Sequence, residues 1–205
     1  MISKIGRQLM AGPVTALVAR LQGTGVTPNG VTALGFLLTA ISAALLLMGN
    51  LRWGGIVLIF ASLLDLVDGS LARQTNQVSS FGAFWDSTLD RYSESLTLLA
   101  LVIYYVNLSI GTQGAQGGIE IVLLAITIVG SFMVSYTRSR AETLNFECKV
   151  GILQRPERVI LLIVGLILGW MQPVLWILAV FTNVTAFQRM YEVYTQARSR
   201  SAKSS

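Results

Sequence analysis

Asp65, Asp68, Asp86 and Asp90 are all the aspartates in a chain of 205 residues, and they fall within one stretch, DLVDGSLARQTNQVSSFGAFWDSTLD. Asp65 and Asp68 are spaced i, i+3, and Asp86 and Asp90 i, i+4. On helices, each pair therefore shares a face. Residues 69–85 hold Gly69, Arg73, Asn76 and the run Ser79–Ser80–Phe81–Gly82, which suits a turn. A hairpin there brings the two faces together. Four converging carboxylates repel, and burying them is costly unless something neutralises them. Only two cations lie near in sequence, Arg73 and Arg91. A divalent metal is the natural counter-charge. An all-oxygen set suits Mg²⁺, Mn²⁺ or Ca²⁺ rather than zinc. A cap or an interhelical hydrogen bond explains one such aspartate, but not two helical pairs. Gly69, Ala72 and Gly82 allow close approach beside the carboxylates, and Arg73 offers a fork-shaped cation suited to phosphate. Together these residues point to a phosphorylated ligand held through metal.

The elements that must position these residues are apolar. The chain is 53% hydrophobic and 12% charged, with mean hydropathy +0.64, against about a quarter charged in soluble domains. This composition predicts an all-α integral membrane protein. Segments long enough to cross a bilayer run Pro28–Gly49, Trp53–Ala72, Gly82–Val106, Gly118–Tyr136, Glu157–Met171 and Pro173–Gln188. The expected fold has six transmembrane helices preceded by an N-terminal amphipathic interfacial helix. Residues 1–25 begin like a signal peptide, but Gly12, Pro13 and Arg20 break the apolar stretch, while Leu9, Val14, Leu17 and Leu21 keep helical spacing. The chain reads as a single membrane domain over 1–205: interfacial helix 1–25, six-helix bundle 28–190 and cytoplasmic tail 191–205. The tail's end, ARSRSAKSS, is expected to be disordered.

The single cysteine, Cys148, excludes an intrachain disulfide, and the absence of histidine excludes imidazole chemistry. The net charge of +5 does not point to nucleic acid, because the cations lie between apolar segments rather than on one polar stripe. Arg73, Arg138, Arg140, Lys149, Arg155, Arg158 and Arg189 fall on one set of loops with the basic residues of both termini, and Arg52 stands alone on the other. The positive-inside rule puts both termini in the cytoplasm, with the aspartates at the cytoplasmic ends of helices two and three. The expected location is the plasma membrane, as a multi-pass protein.

The stretch reads D-x2-D-G-x2-A-R-x8-G-x3-D-x3-D, carried by Asp65, Asp68, Gly69, Ala72, Arg73, Gly82, Asp86 and Asp90. This resembles the signature of the CDP-alcohol phosphotransferase family, with no departure in type or spacing. The resemblance implies a six-helix membrane enzyme, usually a homodimer, surrounded by membrane lipid. Such an enzyme moves a phosphatidyl-type group from a CDP-lipid such as CDP-diacylglycerol to an alcohol and releases CMP. It implies that Asp65, Asp68 and Asp86 bind two ions, Mg²⁺ or Mn²⁺, and that Asp90 deprotonates the acceptor hydroxyl. Asp90 as a base and Asp90 as a further metal ligand both fit the spacing. Gly69, Ala72, Arg73 and Gly82 are then the nucleotide and diphosphate site. Pro28 and Asn29, in a segment that lies near the nucleotide in the family, read otherwise as a helix start.

SYTRSRAE, QRPER and FQRM, in the fourth, fifth and sixth segments, are similar to those of the phosphatidylinositol-phosphate and archaetidylinositol-phosphate synthases. That resemblance implies inositol phosphate as acceptor, with its phosphate held by Arg138, Arg158 and Arg189. Arginine at 138, where the family often has lysine, keeps the charge and changes the geometry. Pro156 sets Arg158 near a helix N-terminus, which attracts anions. Arg155 fits either that pocket or an ion pair with Glu157. Each arginine taken singly also fits an ordinary positive-inside residue. Glycerol 3-phosphate is the alternative acceptor, since it too needs a basic pocket. A cation transporter is the alternative class, and it predicts acids spread through the membrane depth.

Overall fold

The computed structural model describes residues 12, 14–16, 18–20, 25–114 and 116–204. From residue 25 onward the described residues form six helices: α1 Pro28–Leu47, α2 Leu51–Gln74, α3 Ser80–Gly111, α4 Gly118–Thr143, α5 Arg155–Leu168 and α6 Met171–Ser204. The described residues contain no strand. The helix α1 starts where its caps dictate: the Thr27 hydroxyl accepts the Gly30 amide at 3.2 Å, and Pro28 occupies the first turn, where its missing N–H costs nothing.

Helices α1 to α4 are each long and apolar enough to cross a membrane. Large apolar side chains such as Leu37, Ile41, Phe60, Val129 and Phe132 point outward from them, as a lipid solvent permits. The helix α5 has 14 residues, about 21 Å at 1.5 Å per residue, against a hydrocarbon core of about 30 Å. It starts at Arg155, two residues before the expected segment, and stops at Leu168 ahead of Gly169, whose φ is +74°. The helix α6 runs on to Ser204. That corrects the expected disorder of the tail: residues 197–204 are helical, because side chains on this extension find partners that the composition of the tail does not reveal.

The chain divides into two compact units, residues 1–104 with 162–170 and residues 105–161 with 171–205. In the first unit, α1 and α2 pack as a hairpin, pinned by the buried Ser42 hydroxyl donating to the Gly54 carbonyl at 2.7 Å. Residues 14–16 and 18–20 are helical, and Val14 and Val18 bury themselves with Val31, Val67 and Leu71. Val14, one residue of the expected apolar face, is thus buried against α1 and α2, and Val18 joins it. Leu9, Leu17 and Leu21 of the expected apolar face lie outside the described residues. In the second unit, α4 and α6 meet closely at Gly130, where any Cβ would fall 2.2 Å from the Thr182 hydroxyl. The Asn183 amide donates to the Ala179 carbonyl at 2.8 Å and to Ile126 on α4 at 3.4 Å.

Candidate metal and phosphate sites

In the first unit, α2 carries Asp65 and Asp68 to its last turns and α3 starts six residues beyond its end. Asn76 takes a left-handed backbone (φ 54°) and the Gln77 amide returns to the Ala72 carbonyl at 2.9 Å. The Ser79 hydroxyl then caps α3 by accepting the Gly82 amide at 3.0 Å. This reversal sets Asp86 against the other pair. One carboxylate oxygen from each of Asp65, Asp68 and Asp86 lies within 4.8 Å of the other two. Asp68 is buried, and Asp65 and Asp86 are half-buried.

Two donors orient Asp68: its Oδ1 accepts the Gly69 amide at 2.5 Å, and its Oδ2 accepts the Thr32 hydroxyl at 2.6 Å. The Thr32 oxygen also lies 3.1 Å from the Pro28 carbonyl. A hydroxyl has one hydrogen, and the shorter, charge-assisted contact takes it. Sequence reasoning missed Thr32. Its signal was available: it lies one turn after Pro28, so the segment expected near the nucleotide also presents a hydroxyl toward α2.

These donors suit a hard divalent cation. Three carboxylate oxygens drawn this close repel unless a cation joins them, and oxygen atoms are what Mg²⁺ and Mn²⁺ select. Ligands across an ion with bonds of about 2.1 Å stand roughly 4.2 Å apart, so a spread of 4.8 Å fits shared coordination after small rotamer adjustments. Asp90 is outside this trio. It lies one turn further along α3, half-buried, with Oδ2 3.9 Å from Arg91 Nη1. Arg91 itself donates to the Ser87 carbonyl at 2.5 Å.

The small residues lie where a ligand can approach. Gly69 and Ala72 are half-buried, and the exposed Arg73 guanidinium lies over Gly69, donating to the Ser70 hydroxyl at 3.3 Å. A Cβ on Gly82 would fall 3.2 Å from Asn29 Oδ1. The structure thus brings Asn29, on the first turn of α1, to the start of α3, with Pro28 buried beside it.

In the second unit, Arg158 and Arg189 are buried, each about 3% exposed. Arg158 Nη1 donates to the Leu153 carbonyl at 3.4 Å, and Arg189 Nε donates to Val150 at 3.0 Å. Arg189 Nη1 donates to the Val134 carbonyl. Arg138, on α4, is exposed and ion-paired with Glu142 at 2.8 Å. The charges of Arg138 and Arg158 both act on Arg189. Arg155 is half-buried at the first residue of α5, and Arg140 is exposed. Burial pushes the Cys148 thiol above its ordinary pKa, against the pull of Arg189 and Arg138. The thiol is therefore protonated at neutral pH and neutralises neither arginine.

The model of the CDP-alcohol phosphatidyltransferase family matches residues 25–187. The archaetidylinositol phosphate synthase of Pyrococcus horikoshii is 33% identical over 94% of this chain and 96% of its own length. The phosphatidylinositol phosphate synthase of Mycobacteroides abscessus is 30% identical over 93% of this chain and 88% of its own. Among solved structures, the phosphatidylinositol phosphate synthase of Mycobacterium tuberculosis with CDP-DAG bound superposes with a TM-score of 0.79 at 29% identity, covering 89% of this chain and 94% of that one. The same enzyme in complex with manganese and citrate gives 0.80 at the same identity.

Proposed function

We infer the reaction from one premise: the chain belongs to the CDP-alcohol phosphatidyltransferase family. It is a multi-pass membrane transferase. It moves a phosphatidyl-type group from a CDP-diacylglycerol-type lipid to a hydroxyl of inositol phosphate and releases CMP. The observation that carries this reading is the meeting of Asp65, Asp68 and Asp86 within 4.8 Å. The two named relatives, one archaetidyl and one phosphatidyl, share an inositol phosphate product and differ in the lipid.

The residues divide the work. Asp65, Asp68 and Asp86 hold divalent metal, in the family manner two ions, Mg²⁺ or Mn²⁺. Bound metal neutralises charge on the diphosphate and on departing CMP. Thr32 and the Gly69 amide fix the Asp68 carboxylate. Gly69, Ala72, Gly82, Pro28 and Asn29 leave room for the nucleotide, and Arg73 meets its diphosphate. Asp90 takes the proton of the acceptor hydroxyl as its oxygen bonds to the lipid-bearing phosphorus. The bond from that phosphorus to the CMP oxygen breaks. A carboxylate is a weak base for an alcohol, so proton transfer must accompany attack on the phosphorus rather than precede it. Arg138, Arg158 and Arg189, with Arg155, take the acceptor phosphate. Arg189, buried and donating to the neutral carbonyls of Val150 and Val134, keeps its charge for a dianion.

The reading extends to six spans, an interfacial helix at residues 1–25, both termini in the cytoplasm of a plasma membrane, and a homodimer. The asymmetry of basic residues supports the orientation, and the family supports the dimer. The test of function is CMP release by purified protein with CDP-diacylglycerol, Mg²⁺ or Mn²⁺, and each acceptor in turn. Release with inositol phosphate is expected. Release only with glycerol 3-phosphate overturns the acceptor. Metal flux into liposomes without CMP would favour a transporter.

A further inference from the structure

The loop 144–154 joins α4, which carries Arg138, to α5, which carries Arg158. Its backbone is tied along one face of α6. The Thr185 hydroxyl accepts the Leu153 amide at 3.0 Å, and the Gln188 side chain accepts the Ile152 amide at 3.3 Å. Arg189 donates to Val150 at 3.0 Å. One turn beyond Glu192, the Gln196 amide pairs with both backbone groups of Glu147, accepting its N–H at 3.2 Å and donating to its carbonyl at 2.7 Å. The Gln196 side chain is itself held by Glu192 Oε1 at 2.8 Å. Arg200 donates to the Asn145 carbonyl and lies over the Phe146 ring at 4.3 Å. The loop thus runs antiparallel to the helix, residue 145 opposite 200 and residue 153 opposite 185.

Gly151 shows how close this fit is. Its φ is +139°, and a Cβ there would fall 2.5 Å from the Thr185 methyl. The loop carbonyls so placed are the ones that orient the two buried arginines, Val150 for Arg189 and Leu153 for Arg158. Gln196 and Arg200 hold the far end of the same loop.

We propose that the extension of α6 beyond residue 190 is a strap that sets acceptor affinity: Gln196 and Arg200 are positioning residues that hold loop 144–154 so that its carbonyls aim Arg158 and Arg189. This rests on the reading of those arginines as the acceptor-phosphate site. It does not depend on which phosphorylated alcohol is bound. Gln196 and Arg200 touch neither substrate. They act through loop geometry.

The test uses the full chain carrying Gln196→Ala with Arg200→Ala, and separately Arg200→Lys. The acceptor is whichever phosphorylated alcohol the wild-type protein turns over, so failure of the inositol assignment is seen first and apart. The double variant is expected to raise the acceptor KM by about tenfold, the scale of one or two net hydrogen bonds, with the CDP-lipid KM and kcat within about twofold of wild type. Trypsin cleavage after the exposed Lys149 should quicken in step. Arg200→Lys keeps Gln196, a cation over Phe146 and a donor for Asn145, and should leave the acceptor KM close to wild type. An unchanged acceptor KM, or equal rises in both KM values, overturns the proposal.

Discussion

Asp68 and Arg189 are both deeply buried charges, 5% and 3% exposed, and their partners differ in kind. Asp68 takes its hydrogen bonds from the Thr32 hydroxyl and the amide of its own neighbour, all carried on helices. Arg189 gives its hydrogen bonds to carbonyls, one of them on a loop. In both cases neutral partners orient the charge without cancelling it. A buried charge left so is expensive, and the expense is recovered only when a ligand of opposite sign arrives. On the proposed reading, the first region serves cations and the second an anion. The difference is in the support: a helix hairpin is stiff by its own hydrogen bonds, whereas a loop is only as stiff as what it is tied to.

The comparison breaks most sharply at Asp90. If the aspartates divide into a metal trio and a base, Asp90→Asn should cut turnover by about 10²–10⁴ while CDP-lipid binding, measured by retention of labelled lipid, persists. Asp86→Asn should instead lower metal-dependent lipid binding as well. Near-normal turnover in Asp90→Asn removes Asp90 as the base. Loss of lipid binding in that variant assigns it to the metal set.

The second region is tested at Arg158. Arg158→Ala should raise the acceptor KM by about 10–100-fold, since hydrogen bonds between charged groups contribute roughly 1.5–3 kcal/mol each. The CDP-lipid KM should barely move. Equal effects on both would mean that Arg158 serves the loop rather than a phosphate, and the contrast between the regions would lose its anion half.

That contrast also explains what the sequence made legible. The aspartate spacing, the small residues and the turn residues are local, and helical periodicity with a turn converts them into two facing pairs; the division into Asp65, Asp68 and Asp86 on one side and Asp90 on the other came from the family resemblance, and those three are the ones that meet. The arginines could be named from the sequence, but not what holds them, because Val150 and Leu153 contribute backbone carbonyls that no side-chain pattern announces. The tail was misread for the same reason. ARSRSAKSS has the composition of disorder, and only the pairing of Gln196 with Glu147, 49 residues apart in the chain, shows why it stays helical. The short α5 was read at nearly its true length, but its start was set two residues late, at Glu157 rather than Arg155, although Pro156 fits its first turn.

Thr32 gives the smallest effect and separates orientation from ligation. It lies on α1, touches Asp68 and belongs to no expected ligand set. Replacing it by valine keeps the volume and the branching at Cβ, so packing against α2 should survive. What is lost is one hydrogen bond that selects a rotamer of Asp68. Removing an outer partner of a metal ligand costs about 10–100-fold in metal affinity, and here the Gly69 amide remains, so the lower end is expected. Thr32→Val should therefore raise the half-saturating Mg²⁺ or Mn²⁺ concentration by about tenfold, with turnover at saturating metal close to wild type and the acceptor KM unmoved. Thr32→Ser restores the hydroxyl and should restore the metal response. A fall in saturated turnover that Thr32→Ser does not repair would mean that the methyl, not the hydroxyl, is what the site uses. Asp68 would then be oriented by its own helix alone, and the aspartate region would need no help from α1.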